Sequence, residues 1–276
     1  MEPIVNPAPG FGQRRPFLAI ALTTLALLVL LAAAGTAVFV ATGGQNQGWH
    51  TQLLPVALVF PPVALWVALR LARADLRALL SLRSLAPFAG PGALLLAVPL
   101  LALLVQALEV APRLDVGSAR LLSCIALAVL VGFVEEGLYR GVFMHWLAPR
   151  GLRTAIWVST AVFALTHAAN AFGAQSLGAT VLQIAFAAVF GYVAASLRVA
   201  TGALLPLMVW HALFDILGFL GTREDNLLLA VNCVMLAGFG AWMAVQRHRR
   251  APRTHTPRAH TSCAHSPRTD RSPSSA

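Results

Sequence analysis

Eight apolar stretches recur along the chain, at residues 17–41, 52–70, 91–109, 119–147, 154–171, 178–197, 202–220 and 226–246. Each is close to the roughly 20 residues that a helix needs to cross a bilayer. In hydrocarbon every backbone N–H and C=O must be satisfied within the protein, so such stretches are viable only as helices. Composition agrees, with 58% hydrophobic and 11% charged residues and a mean hydropathy of +0.74, against about 25% charged in soluble domains. The expected fold class is all-α, a polytopic integral membrane protein with about eight transmembrane helices.

The net charge of +10 comes from arginine, and its placement bears on orientation, not on nucleic acid, which is not expected as a partner. Arg14 and Arg15 precede the first stretch; Arg70, Arg73, Arg77 and Arg83 follow the second. Arg150 and Arg153 follow the fourth, Arg198 the sixth, and Arg247, Arg249 and Arg250 the last. The intervening loops are uncharged or balanced, as in 110–118 and 221–225. This alternation predicts both termini in the cytoplasm, with the plasma membrane bilayer as surroundings. The paired arginines before Phe17 look like an export signal, but the apolar run is too long for one, and an uncleaved first helix is expected. Three parts follow: a cytoplasmic segment 1–16, a helical membrane domain 17–246 with its chemistry in about 90–220, and a basic tail 247–276. The tail is rich in Arg, Ser, Thr and Pro and has no apolar period, so it is expected to remain disordered near anionic lipid. His255, His260, Cys263 and His265 in it are expected to be solvated. Cys124, Cys233 and Cys263 are too far apart to suggest a disulfide framework or a paired-cysteine metal site.

The ionisable residues inside the stretches are unevenly spread. Glu135, Glu136, Arg140 and His145 lie in the fourth, His167 in the fifth, and His211 and Asp215 in the seventh. Each Asp or Arg at a helix centre costs about 2.5–3.5 kcal/mol on insertion, so concentrating them in three helices points to one shared polar site. Glu136 and Arg140 are four residues apart with the acid first, the favourable order for an ion pair. Glu135 is rotated about 100° away, which leaves a second carboxylate to act as acid or base. His211 and Asp215 share a face, as do Phe163 and His167. Glu135, His167 and His211 all fall near mid-membrane by helical rise, and Gly132, Gly137 and Gly141 permit close packing there. Tyr139, Asn170 and Gln183 are candidate supporting groups, and His145 beside Trp146 fits an interfacial role.

The segments "EEGLYR" (Glu135 to Arg140), "FALTH" (Phe163 to His167) and "HALFD" (His211 to Asp215) resemble, in order and spacing, the three motifs of the CAAX protease and bacteriocin-processing (CPBP, or Abi) family of intramembrane proteases. The resemblance covers about residues 90 to 220. It implies an endopeptidase site inside the bilayer, in a conical polar cavity opening to the cytosol, acting on a peptide or lipid-anchored protein. It also implies that Glu135 activates a water, that Glu136 and Arg140 support it, and that His167 holds the water or moves its proton. His211 and Asp215 would stabilise the oxyanion. Many relatives carry asparagine at the last position. An ionised Asp215 would repel an oxyanion, so it must be protonated, orient His211 or ligate a metal.

The residues alone point the same way. Amide hydrolysis needs an activated water and a stabilised oxyanion, and no serine or cysteine accompanies the histidines as a nucleophile. Glu135, His167, His211 and Asp215 are a set that could hold Zn²⁺. A metal-free route driven by glutamate is the alternative, and the chain has no HExxH sequence. Two other classes stay open, a proton- or ion-coupled transporter and a non-catalytic immunity or scaffold protein of the same fold. Against the transporter, the polar residues show no matching second half.

Overall fold

The computed structural model describes residues 10–44, 49–73, 93–110, 117–173, 176–221 and 226–250. The tail histidines, Cys263 and the loop residues Arg77, Arg83, Arg113, Asp115 and Arg223 lie outside them. The regular elements among the described residues are all helical: α1 (Phe11–Arg14), α2 (Pro16–Ala41), α3 (Trp49–Arg73), α4 (Leu94–Val110), α5 (Ser118–Glu135), a π-helical segment Glu136–Phe143, α6 (Met144–Leu147), α7 (Leu152–Thr166), α8 (Leu177–Thr201), α9 (Leu205–Leu220) and α10 (Asn226–Arg250). Each of the eight apolar stretches holds a helix. Five reach the length and apolarity needed to cross a membrane: Pro16–Ala41, Leu53–Arg73, Ser118–Arg150, Leu177–Thr201 and Leu227–Arg249. The chain is thus an integral membrane protein. Leu94–Leu108 and Leu205–Leu220 are shorter apolar helices, which narrows the expectation of eight full spans.

Local chemistry explains the shortening. Gly202 adopts φ +68° and closes α8 with a left-handed cap, its N–H bonded to the Arg198 carbonyl. Pro206 then lies in the first turn of α9, where its missing N–H costs nothing. The seventh stretch therefore gives its opening residues to a turn. In the fifth, α7 tightens into a 3₁₀ segment at His167–Gly173. The second runs as one helix through Pro55, Pro61 and Pro62, and α10 continues to Arg250, past the expected limit at residue 246.

The helices pack in a circuit: α3 on α5, α5 on α9, α9 on α4, α4 on α10, α10 on α8, α8 on α7, α7 on α2, and α2 back on α3. Polar side chains tie several of these contacts. Trp210 Nε1 donates to the Pro99 carbonyl at 3.1 Å, Asn232 Nδ2 to Gln106 Oε1 at 3.4 Å, and Arg247 Nη1 to Ser196 Oγ at 2.8 Å. In lipid such bonds and close packing hold helices together, since apolar burial alone gains little over contact with lipid tails. The outward residues fit that environment: Leu25, Leu65, Leu104, Leu122, Leu165 and Val234 are all exposed. The inside is mostly apolar too, yet Arg140 and Glu136 are among its largest fully buried side chains.

Candidate active site

The π-helical segment carries the centre of the site. Helix α5 ends at Glu135, and from Glu136 the backbone widens, so that the Met144 N–H reaches the Tyr139 carbonyl five residues back. Single π turns inside α-helices are frequent at functional sites. All eight residues from Glu136 to Phe143 are buried. Three glycines admit the neighbours. A Cβ on Gly132 would lie 2.8 Å from the Met208 carbonyl oxygen and 3.1 Å from the Ala212 nitrogen, so α9 crosses α5 at backbone contact. Gly137 and Gly141 similarly receive Val67 and Leu71 of α3.

That crossing sets His211 against the two glutamates. Glu136 Oε1 accepts from Arg140 Nη1 at 3.0 Å and from His211 Nδ1 at 2.9 Å. A carboxylate paired with arginine is acceptor-only, so Nδ1 of His211 is the donor to it and Nε2 is the nitrogen left for chemistry. Nε2 lies 3.7 Å from Glu135 Oε2 and 3.6 Å from Asp215 Oδ2. Both gaps exceed a direct hydrogen bond, and a water or substrate oxygen placed to one side can reach Nε2 and either carboxylate. The side chains of Glu135 and Asp215 keep 18% and 20% exposure, whereas Glu136 has none. The exposed carboxylates are thus the ones facing Nε2, and the sealed one anchors Nδ1.

An aromatic wall encloses the ion pair. The Arg140 guanidinium carbon lies 4.2 Å from the Phe163 ring centroid, a cation–π contact. Phe163 also meets His167 edge-on at 4.8 Å and His211 at 6.0 Å, and so stands between the two histidines. Phe190 stacks on Trp210 at 4.2 Å and covers His211 at 5.0 Å. His167 is partly buried, and its Nδ1 donates to the Phe163 carbonyl at 2.8 Å, which fixes the ring and its tautomer. Tyr139 Oη bonds Thr166 Oγ1 at 3.0 Å, and Ser159 Oγ donates to the Tyr139 carbonyl at 2.9 Å.

All six candidate residues therefore lie on the π segment and its flanks, the end of α7, and α9. Glu135, Glu136, Arg140, His211 and Asp215 form one contiguous cluster, with His167 joined to it through Phe163. Among the supporting candidates, Tyr139 binds Thr166, while Asn170 Nδ2 donates to Gln183 Oε1 at 2.8 Å. His145 accepts from Gln13 Nε2 at 3.1 Å, away from the cluster. Cys124 is buried against Leu220 and is not part of the site. Gly191 was not legible as a site residue: a Cβ there would stand 2.9 Å from Phe163 Cδ1 and 3.0 Å from Arg140 Nη2. Among the described residues no group of three or more His, Cys, Asp or Glu side chains is arranged to hold a metal ion.

Residues 117–217 match the family model described as Type II CAAX prenyl endopeptidase Rce1-like. No curated protein and no solved structure matches the chain. The matched segment runs from the start of α5 to the last turns of α9 and contains every candidate site residue, so over residues 117–217 the chain is similar to the Rce1-like type II CAAX prenyl endopeptidases.

Proposed function

We propose that the protein is an intramembrane endopeptidase that hydrolyses a peptide bond with water activated by Glu135. The observation that carries this reading is the division of the His211 ring, with Nδ1 held by the sealed Glu136 and Nε2 aimed between Glu135 and Asp215. A water beside Glu135 loses a proton to its carboxylate while the water oxygen attacks the scissile carbonyl carbon. The carbonyl oxygen becomes an oxyanion, stabilised by the Nε2–H of protonated His211, while Glu136 holds Nδ1. Asp215 orients the imidazole from its other side. On collapse the C–N bond breaks and Glu135 returns the proton to the leaving nitrogen. His167 holds the water, with its ring set by the Phe163 carbonyl. No step of this mechanism passes through a metal.

The substrate class is a lipid-anchored protein or peptide with a CAAX-type tail, which the family match supports. The site is read as a conical cavity opening to the cytoplasm, the orientation that the arginine pattern supports. The test uses purified protein in nanodiscs with a quenched fluorescent farnesylated CAAX peptide, and membranes of expressing cells compared by terminal proteomics. Glu135→Gln should lower the cleavage rate about 10²–10⁴-fold, the range of a general base. An active Glu135→Gln variant would falsify the mechanism. Identical peptide termini in wild-type and variant membranes, with no cleavage of the probe, would remove the protease reading.

A further inference from the structure

A groove of about 410 Å³ opens on the outer face between α2 and α7, away from the His211 cluster. Its walls are mostly hydrocarbon, with Phe17, Ile20, Ala21 and Leu28 on one side and Val162 and Leu165 on the other, and Thr24 and Thr166 are its polar members. Phe17, Leu25 and Leu165 remain half or more exposed, so the groove faces the bilayer. From Phe17 to Leu28 it follows α2 for about 16 Å, close to one leaflet of a hydrocarbon core roughly 30 Å thick. Charge is found at one end. The exposed Arg150 guanidinium carbon lies 5.8 Å from the ring centroid of Phe17. Arg15, also exposed, stands two residues before Phe17 at the start of α2.

We propose that this groove is a binding site for one anionic phospholipid, with an acyl chain along α2 and α7 and the phosphate at Arg150 and Arg15. Three features select this occupant: the length of a single leaflet, an apolar wall open to lipid, and arginines at one end. Arginine pairs with phosphate through a planar fork and a charge that is never lost. A zwitterionic lipid fills the same groove but gains less from the arginines, because its headgroup carries a compensating cation. The far end reaches Thr166, which bonds Tyr139 and precedes His167. A seated chain therefore braces the α7 end that positions His167.

The test is native mass spectrometry of the delipidated full chain in detergent, titrated with dioleoyl phosphatidylglycerol or dioleoyl phosphatidylcholine. The wild type should bind phosphatidylglycerol more tightly, and Arg150→Gln should reduce that preference about fivefold, the worth of one arginine at an anionic surface. Ala21→Trp should block the groove and weaken binding of both lipids. Equal affinity of the wild type for the two lipids overturns the proposal, as does a preference unchanged in Arg150→Gln. Displacement of bound phosphatidylglycerol by a farnesylated peptide would assign the groove to substrate and overturn it as well. The readout is lipid binding and not cleavage, so it stands or falls separately from the protease reading.

Discussion

Glu136 receives two donors on one oxygen, and removing its charge should expose how the cluster is held. Arg140 is 1% exposed and Glu136 0%. Among the described residues, Nε and Nη2 of Arg140 have no hydrogen-bond partner, so the Nη1 bond to Glu136 is the polar contact that compensates its burial. Breaking a buried pair by removing one member costs about 3–5 kcal/mol, because the remaining charge is left uncompensated. Glu136→Leu and Arg140→Met should each be destabilised by that amount. Independent effects would sum to about 6–10 kcal/mol.

The double variant should behave differently. It buries no unpaired charge, and its remaining defect is the lost acceptor of His211 Nδ1, a cost of about 1–3 kcal/mol. It should therefore be more stable than either single variant, and the coupling should exceed the rest of the ledger. Reversible unfolding in mixed detergent–SDS micelles measures this double-mutant cycle directly. Cleavage should not recover in the double variant, because nothing then fixes Nδ1 and directs Nε2 at Glu135. Additive losses would show that Arg140 draws its compensation from elsewhere. A stable double variant with wild-type cleavage would refute the role of Glu136 as the anchor of His211.

Three further outcomes follow from the geometry. Gly191→Ala should lower activity at least tenfold with the fold retained on gel filtration, since its methyl must displace Phe163 or the Arg140 guanidinium from contacts near 3 Å; unchanged kinetics would show that the wall has slack. Asp215→Asn should stay within about tenfold of the wild type, because an amide can still orient His211, whereas Asp215→Ala should lose more; the reverse order would make the charge itself essential. Treatment with 1,10-phenanthroline, followed by rapid dilution into the peptide assay, should leave the cleavage rate unchanged, and loss that zinc restores would place a metal in the mechanism.

Much of this site was legible because membrane insertion makes charge conspicuous. Glu135, Glu136, Arg140, His167, His211 and Asp215 stand out in the sequence since an ionisable residue in a long apolar stretch needs a reason to be there. The Glu136–Arg140 pairing was readable from spacing of four residues, and it survives in the π segment at 3.0 Å. The span count was less secure. Hydropathy does not register where a left-handed glycine such as Gly202 or a change of helix type at His167 ends a helix inside an apolar run. Gly191, Phe190 and Ser159 were hidden for another reason. Glycine, phenylalanine and serine are ordinary lining for a membrane helix, and their relation to Arg140, His211 and Tyr139 exists only once α7, α8 and α9 are packed.

The π segment itself gives no compositional signal, yet it helps explain how two adjacent carboxylates can serve one histidine. Consecutive residues on an α-helix point about 100° apart, so Glu135 and Glu136 cannot present the same face to a partner. The imidazole of His211 resolves this by offering two nitrogens, one to each carboxylate, from a helix that crosses at Gly132. A bulkier residue at position 132 would push α9 outward at the Met208 carbonyl and open both gaps together. In the proposed mechanism one small residue, three positions before the first glutamate, thus controls whether the pair acts as two separate charges or as an anchor and a base on one ring. Gly132→Val should consequently cost both stability and cleavage, and it should weaken the Glu136–His211 coupling more than the Glu136–Arg140 coupling, which lies within a single helix.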